Sequence, residues 1–196
     1  MPRVVDHKKR REEVAEAAWR VIERAGPDGA NMREIAREAG HTTGVVTHYF
    51  QNKRELMAFA FELMVDRSTK RMAEVAARSG LLEALAKLLP LDEGRRREAT
   101  VWLALMGASL ADPGLAEELR QRYRRAREAT FPVFRTTLEG AGLGEDPDEL
   151  ADELVAVVDG ITVDALTDPE RYPPGRQLAL LRRSLERLGL PADELG

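Results

Sequence analysis

Apolar residues recur at three- and four-residue intervals along most of the chain, the period of amphipathic helices, and no stretch shows a convincing strand alternation. The first stripe, Val14, Ala17, Ala18, Val21, Ile22 and Ala25, predicts a helix over 8–25 that Gly26-Pro27-Asp28-Gly29 breaks. Asn31 can cap a short second helix, with Glu34 three residues on, and Gly40 can stop it. Thr42 caps a third helix, through about Phe50. Asn52 caps a long fourth, to about Ala77, whose Leu56, Phe59, Ala60, Leu63 and Met64 form an inner face. Further helices are expected over 81–89, 92–111, 113–139 with a bend near Pro132, 147–166, and a last one that Pro173 and Pro174 precede, ending near Leu188. The pattern predicts an all-α protein of about nine helices, with a three-helix N-terminal domain over 1–53 and a larger helical domain over 54–196.

Composition narrows the chemistry. Cysteine is absent, so disulfides, thiolate metal sites and cysteine nucleophiles are excluded. The longest apolar run, 101–110, is half of the roughly 20 residues that a membrane span requires. No secretory signal is visible, and a soluble cytoplasmic protein is expected, with no membrane partner. The net charge of −4 argues against nucleic acid until its distribution is read. Residues 1–55 carry 11 Lys/Arg against 9 Asp/Glu, a net of +2, while the remainder carries 19 against 25. His7, His41 and His48 also lie in the first part. An acidic protein can thus still present a basic face to DNA.

The second and third helices, joined by Ala39-Gly40-His41-Thr42, have the size and turn chemistry of a DNA-binding helix-turn-helix. A plain helical hairpin with a polar surface has the same outline. The contents of the third helix favour DNA. Thr43, Gly44, Thr47, His48 and Tyr49 are mediocre to poor helix formers. Their hydroxyls and imidazole can reach phosphates and base edges, and a threonine methyl can touch a thymine methyl. Lys53 opens the next helix, where an ammonium and free amides together suit a phosphate.

The stretch Asn31-Met-Arg-Glu-Ile-Ala-Arg-Glu-Ala-Gly40, His41-Thr-Thr-Gly-Val-Val-Thr-His-Tyr-Phe50, Gln51-Asn-Lys-Arg-Glu-Leu56 resembles the TetR family signature, and its BetI-like branch more than TetR itself. Leu89-Pro-Leu-Asp-Glu93, Ala111-Asp-Pro113, Val158-Asp-Gly160 and Asp168-Pro-Glu-Arg-Tyr-Pro-Pro174 extend the resemblance downstream. It implies a homodimeric transcriptional repressor, released from double-stranded palindromic operator DNA by a small-molecule effector. Arg33, Thr42, Thr43, Gly44, Val45, Thr47, His48 and Tyr49 then match DNA-facing positions. Lys53 matches a phosphate-binding lysine, Asn31 a capping position that also faces phosphate, and Lys8, Lys9, Arg10 and Arg11 a flanking arm. His41 stands where an apolar residue is usual, and Thr47 where a tyrosine is common.

The larger domain is then the candidate sensor and dimeriser. Trp102, Met106, Tyr123, Phe131 and Phe134 are candidate pocket residues, though each would serve equally as core. The stripes containing Leu154, Val158 and Ile161, and Leu178, Leu181 and Leu185, are expected at a dimer interface. Packing within one chain would use the same stripes. No cofactor, metal set or catalytic group is expected. An enzyme would need a positioned base, and every histidine lies near the helix-turn-helix. An interaction module that has lost DNA binding is the remaining rival, and its motif should be degraded.

Overall fold

The computed structural model describes residues 7–140 and 146–190, apart from the side chains of 77, 126, 127, 129–134 and 136–140. Among these residues every regular element is a helix: α1 (His7–Gly29), α2 (Met32–Glu38), α3 (Thr43–Tyr49), α4 (Lys53–Ala86), α5 (Glu93–Ala111), α6 (Pro113–Gly140), α7 (Pro147–Thr167) and α8 (Pro174–Arg187). Gly26, with φ 69°, breaks the helical backbone of α1 one turn before its end. Gly80, with φ 83°, divides α4 near the expected boundary, so the described residues contain nine helical segments when its halves are counted separately. α6 runs through Pro132 with no interruption of its helical backbone.

The chain forms two compact units that interleave along the sequence. One comprises Met1–Val65 with Thr100–Tyr123, the other Asp66–Ala99 with Arg124–Gly196. Each has its own core. In the first, Val14, Ala18, Val21 and Ile22 of α1 meet Ile35, Val46, Phe50, Leu56, Phe61, Leu105 and Leu119. In the second, Leu81, Leu85 and Leu89 meet Leu150, Leu154, Val158, Leu181, Leu185 and Leu190. Full burial of each such leucine contributes on the order of 1.5–3 kcal/mol.

The residues expected at a dimer interface are mostly enclosed within the single chain. Leu154, Leu181 and Leu185 have no exposed surface, and Val158 and Ile161 retain 4% and 7%. α7 and α8 spend these stripes on each other and on the end of α4 inside one protomer. Of the six, Leu178 alone is exposed, at 37%.

The candidate pocket residues differ in their surroundings. Trp102 and Tyr123 pack against the first core. Met106 is 39% exposed. The side chains of Phe131 and Phe134 lie outside the described residues.

Candidate nucleic-acid interface

Local chemistry sets the two short helices. The Asn31 side chain accepts from the amides of Arg33 (3.1 Å) and Glu34 (3.0 Å), satisfying two donors that a helix start leaves free. Glu34 does not complete the expected reciprocal cap; it pairs with Arg37 instead. Gly40 takes φ 70°, a left-handed conformation that side chains disfavour, and closes the end of α2. The His41 amide then reaches the Ala36 carbonyl at 2.8 Å, and the Gly40 amide reaches that of Arg37 at 3.1 Å. Thr42 caps α3 by accepting from the Val45 amide at 3.4 Å. Asn52 accepts from the Glu55 amide at 2.9 Å, while the Glu55 carboxylate turns back to the Gln51 amide at 2.8 Å.

α3 fully buries one side chain, Val46, and packs Tyr49 against the same core. Thr43, Gly44, Val45, Thr47 and His48 are all exposed. The Thr47 hydroxyl donates to the Gly44 carbonyl at 3.1 Å. Tyr49 is half-buried, its ring 5.2 Å from that of His48 and 5.4 Å from that of His7. Asn31, Arg33 and Thr42 are exposed beside this face. The arrangement brings the DNA-facing candidates of α2 and α3 onto one small motif, with hydroxyl, imidazole and guanidinium groups available to water.

Three cations have protein partners that sequence reasoning does not reveal. The half-buried Lys53 ammonium donates to the Pro27 carbonyl at 2.7 Å, fastening the start of α4 to the end of α1. Arg10 pairs with Glu13 at 2.8 Å and lies 2.9 Å from Nε2 of His41. A guanidinium only donates, so that nitrogen of the half-buried imidazole accepts. Arg11 donates to the Tyr49 carbonyl at 2.8 Å and to Glu55 at 3.3 Å. Apart from the Arg10–Glu13 pair, these contacts span 26 to 44 residues along the chain and leave no local pattern to read.

Acidic groups near the motif are also engaged. Arg20 and Arg24 of α1 hold Glu38, and the Arg20 hydrogen bond foremost keeps its carboxyl below the usual range. Further along, Arg54 binds Asp112 at 3.1 Å. Asp112 caps α6 by accepting from the amides of Gly114 and Leu115 at 3.0 and 3.1 Å. The Leu115 amide is the main cause of its lowered pKa, with the Arg54 charge adding to it.

Comparison with known proteins identifies the family. The N-terminal model of bacterial regulatory proteins of the tetR family matches residues 14–60, and that of the BetI-type transcriptional repressor C-terminal domain matches 77–190. The chain belongs to the TetR family. This TetR-family protein is 33% identical to the HTH-type transcriptional regulator PksA of Bacillus subtilis, over 96% of the chain and 94% of that protein. It is 27% identical to BetI of Vibrio vulnificus, over 95% and 96% respectively. A crystallised transcriptional regulator from Rhodococcus superposes with a TM-score of 0.75 at 35% identity, covering 91% of this chain and 95% of that one. A Saccharomonospora viridis protein crystallised with choline superposes with a TM-score of 0.70 at 26% identity, covering 91% and 96%.

This TetR-family member is therefore a DNA-binding transcriptional regulator and not an enzyme. Proteins of the family dimerise and bind operator DNA. No helix among the described residues is long and apolar enough to cross a membrane.

Proposed function

We propose that this regulator is a cytoplasmic repressor that grips a two-fold operator as a homodimer and lets go when a small organic effector binds. The observation that carries the reading is the composition of α3, where hydroxyl- and imidazole-bearing residues fill the exposed face and a single valine is fully buried. Residues 1–53 read DNA. Thr43, Gly44, Val45, Thr47, His48 and Tyr49 meet base edges and adjoining phosphates. Asn31, Arg33, Thr42 and Lys53 fix register on the backbone. Lys53 would exchange its Pro27 carbonyl for a phosphate oxygen. Two copies of α3 then enter successive major grooves about 34 Å apart.

Residues 54–196 sense and dimerise. With the leucine stripes enclosed, Leu178 and the exposed Ala156 and Gly160 of α7 are the surfaces left to meet a partner. Leu178→Glu should dissociate the dimer and leave the fold intact, as sedimentation and circular dichroism would report; a folded, tight dimer would reject this face. Trp102, Met106 and Tyr123 are the effector contacts put forward, with Phe131 and Phe134 on the sequence argument alone. Choline, carried by the Saccharomonospora viridis relative, is the first effector to try. Release requires that the effector bind better to a conformation with mismatched recognition helices.

The test is selection of bound duplexes from random-sequence DNA with the purified full chain. An enriched inverted repeat supports the reading. A folded dimer that enriches nothing, and carries no co-purified ligand, returns the chain to an interaction role.

A further inference from the structure

We infer that Arg11 is a positioning residue for the recognition helix, not one of the phosphate contacts of an N-terminal arm; the inference rests on the DNA-binding reading of α3. Arg11 sits in the first turns of α1, three residues before the buried face of that helix begins at Val14. Its guanidinium reaches across the motif and makes four contacts at once. One terminal nitrogen donates to the Tyr49 carbonyl at 2.8 Å, the last residue of α3. The other donates to Glu55 at 3.3 Å, in the first turn of α4. Its central carbon lies 4.4 Å from the ring centre of Phe50 and 4.6 Å from that of Phe59.

These partners flank the segment that connects α3 to α4. The Tyr49 carbonyl belongs to the last turn of α3, where a helix has no acceptor role of its own left to fill. Phe50 is the residue that ends α3, and it is buried. Glu55 in turn accepts from the Gln51 amide, so Arg11 and Gln51 share one carboxylate across the connection. Within α3 Val46 alone is fully buried, and the far end is held by the half-buried Tyr49 and by its cap Phe50. Arg11 adds the polar tie, to the Tyr49 carbonyl, and lies against the Phe50 ring itself. Arg10 does the same for the opposite end, through the His41 imidazole in the α2–α3 turn. Adjacent arginines thus brace the recognition helix before and after it.

The chemistry is specific to arginine. A planar guanidinium can donate in two directions while lying against aromatic rings. Lysine keeps the charge but offers a point donor on a thinner stem, and cannot hold the carbonyl, the carboxylate and both rings together. A phosphate contact makes the opposite demand, since there charge matters most.

The experiment compares the full-length wild type with Arg11→Lys, Arg11→Ala and Phe59→Leu, on the duplex enriched by selection and on poly(dI–dC), across a salt series. Arg11→Lys is expected to lower the ratio of specific to non-specific affinity about tenfold, as Arg11→Ala does, with the salt slope unchanged in both. Phe59→Leu, which alters no charge, should lower the ratio about threefold. A lysine variant that binds like wild type, with an alanine variant whose salt slope falls by about one, overturns the inference. Amide exchange over residues 43–51 in the free protein decides it independently of DNA. Faster exchange there in Arg11→Lys, with α7 unchanged, supports the brace; identical exchange overturns it. If wild type enriches no duplex, the DNA-binding reading fails on its own account, and the exchange comparison still decides whether Arg11 holds α3.

Discussion

α3 and the α7–α8 pair use their side chains in opposite ways. α3 fully buries one of its residues and leaves most of the rest to solvent. α7 buries seven, from Leu150 to Ala165, and α8 buries Gln177, Leu181 and Leu185. An element that must present chemistry to an outside surface has little left to anchor itself. It borrows anchorage from neighbours through long polar side chains, as Arg10, Arg11 and Lys53 do here. α7 receives one such brace, from Arg96 to the Ala165 carbonyl at 3.1 Å, but adds it to an apolar stripe that is already enclosed.

Substitutions can break or sharpen this contrast. The largest expected effect is in the self-enclosed pair: Leu181→Ala should cost about 3 kcal/mol through lost burial and a cavity. Urea unfolding at fixed protein concentration reads this, and a loss under ~1 kcal/mol would mean that the α7–α8 core is less closed than its burial shows. Leu181→Asp should prevent that unit from folding and should yield no folded monomer.

Next is the polar group carried by the same pair. Burial pushes the Asp159 carboxyl up from 3.8 to about 6. Below the unfolded value both states hold the proton, and the group carries no penalty. Between 3.8 and about 6 the unfolded chain gives up the proton while the folded state keeps it, so stability falls across that window and levels off once the partly dehydrated carboxyl ionises. Asp159→Asn should therefore stabilise by on the order of 2 kcal/mol at pH 7.5 and hardly at all at pH 4. Equal stabilisation at both pH values would remove ionisation as the cause.

On the DNA side the effects on stability shrink while those on binding grow. Lys53→Ala should weaken binding to every duplex and reduce the salt slope by about one. It should also loosen the junction with Pro27, seen as faster exchange near residue 30. The smallest stability change belongs to Thr47→Ala, within about 0.5 kcal/mol. Its base preference should nonetheless shift, and an unchanged selected motif would take Thr47 out of the readout.

The same contrast explains what the sequence revealed. Helix starts and stops are local, so Asn31, Gly40, Thr42 and Asn52 could be assigned from their own chemistry, and the structure uses all four. Periodicity located the apolar faces of α7 and α8 correctly. It carries no information about what covers a face, and most of the residues offered to a second protomer are enclosed within the single chain, Leu178 excepted. The exposed face of α3 was legible because poor helix formers gathered there. The braces were not, because a run of four basic residues looks the same whether its members meet phosphate or Tyr49.

The turn between α5 and α6 has a genetic consequence. A Cβ on Gly114 would lie 2.6 Å from the central carbon of the Arg54 guanidinium, which would have to leave Asp112. Arg54 follows Lys53 directly at the start of α4. A side chain at position 114 therefore displaces the Arg54 guanidinium, the outer end of a side chain rooted in the first turn of the helix that follows the DNA-reading motif. In a screen for alleles that lose operator control, hits at codon 114 should cluster with hits in the motif itself, although some sixty positions of sequence separate them. They would look like sensor mutations on a linear map and behave as reader mutations in the cell.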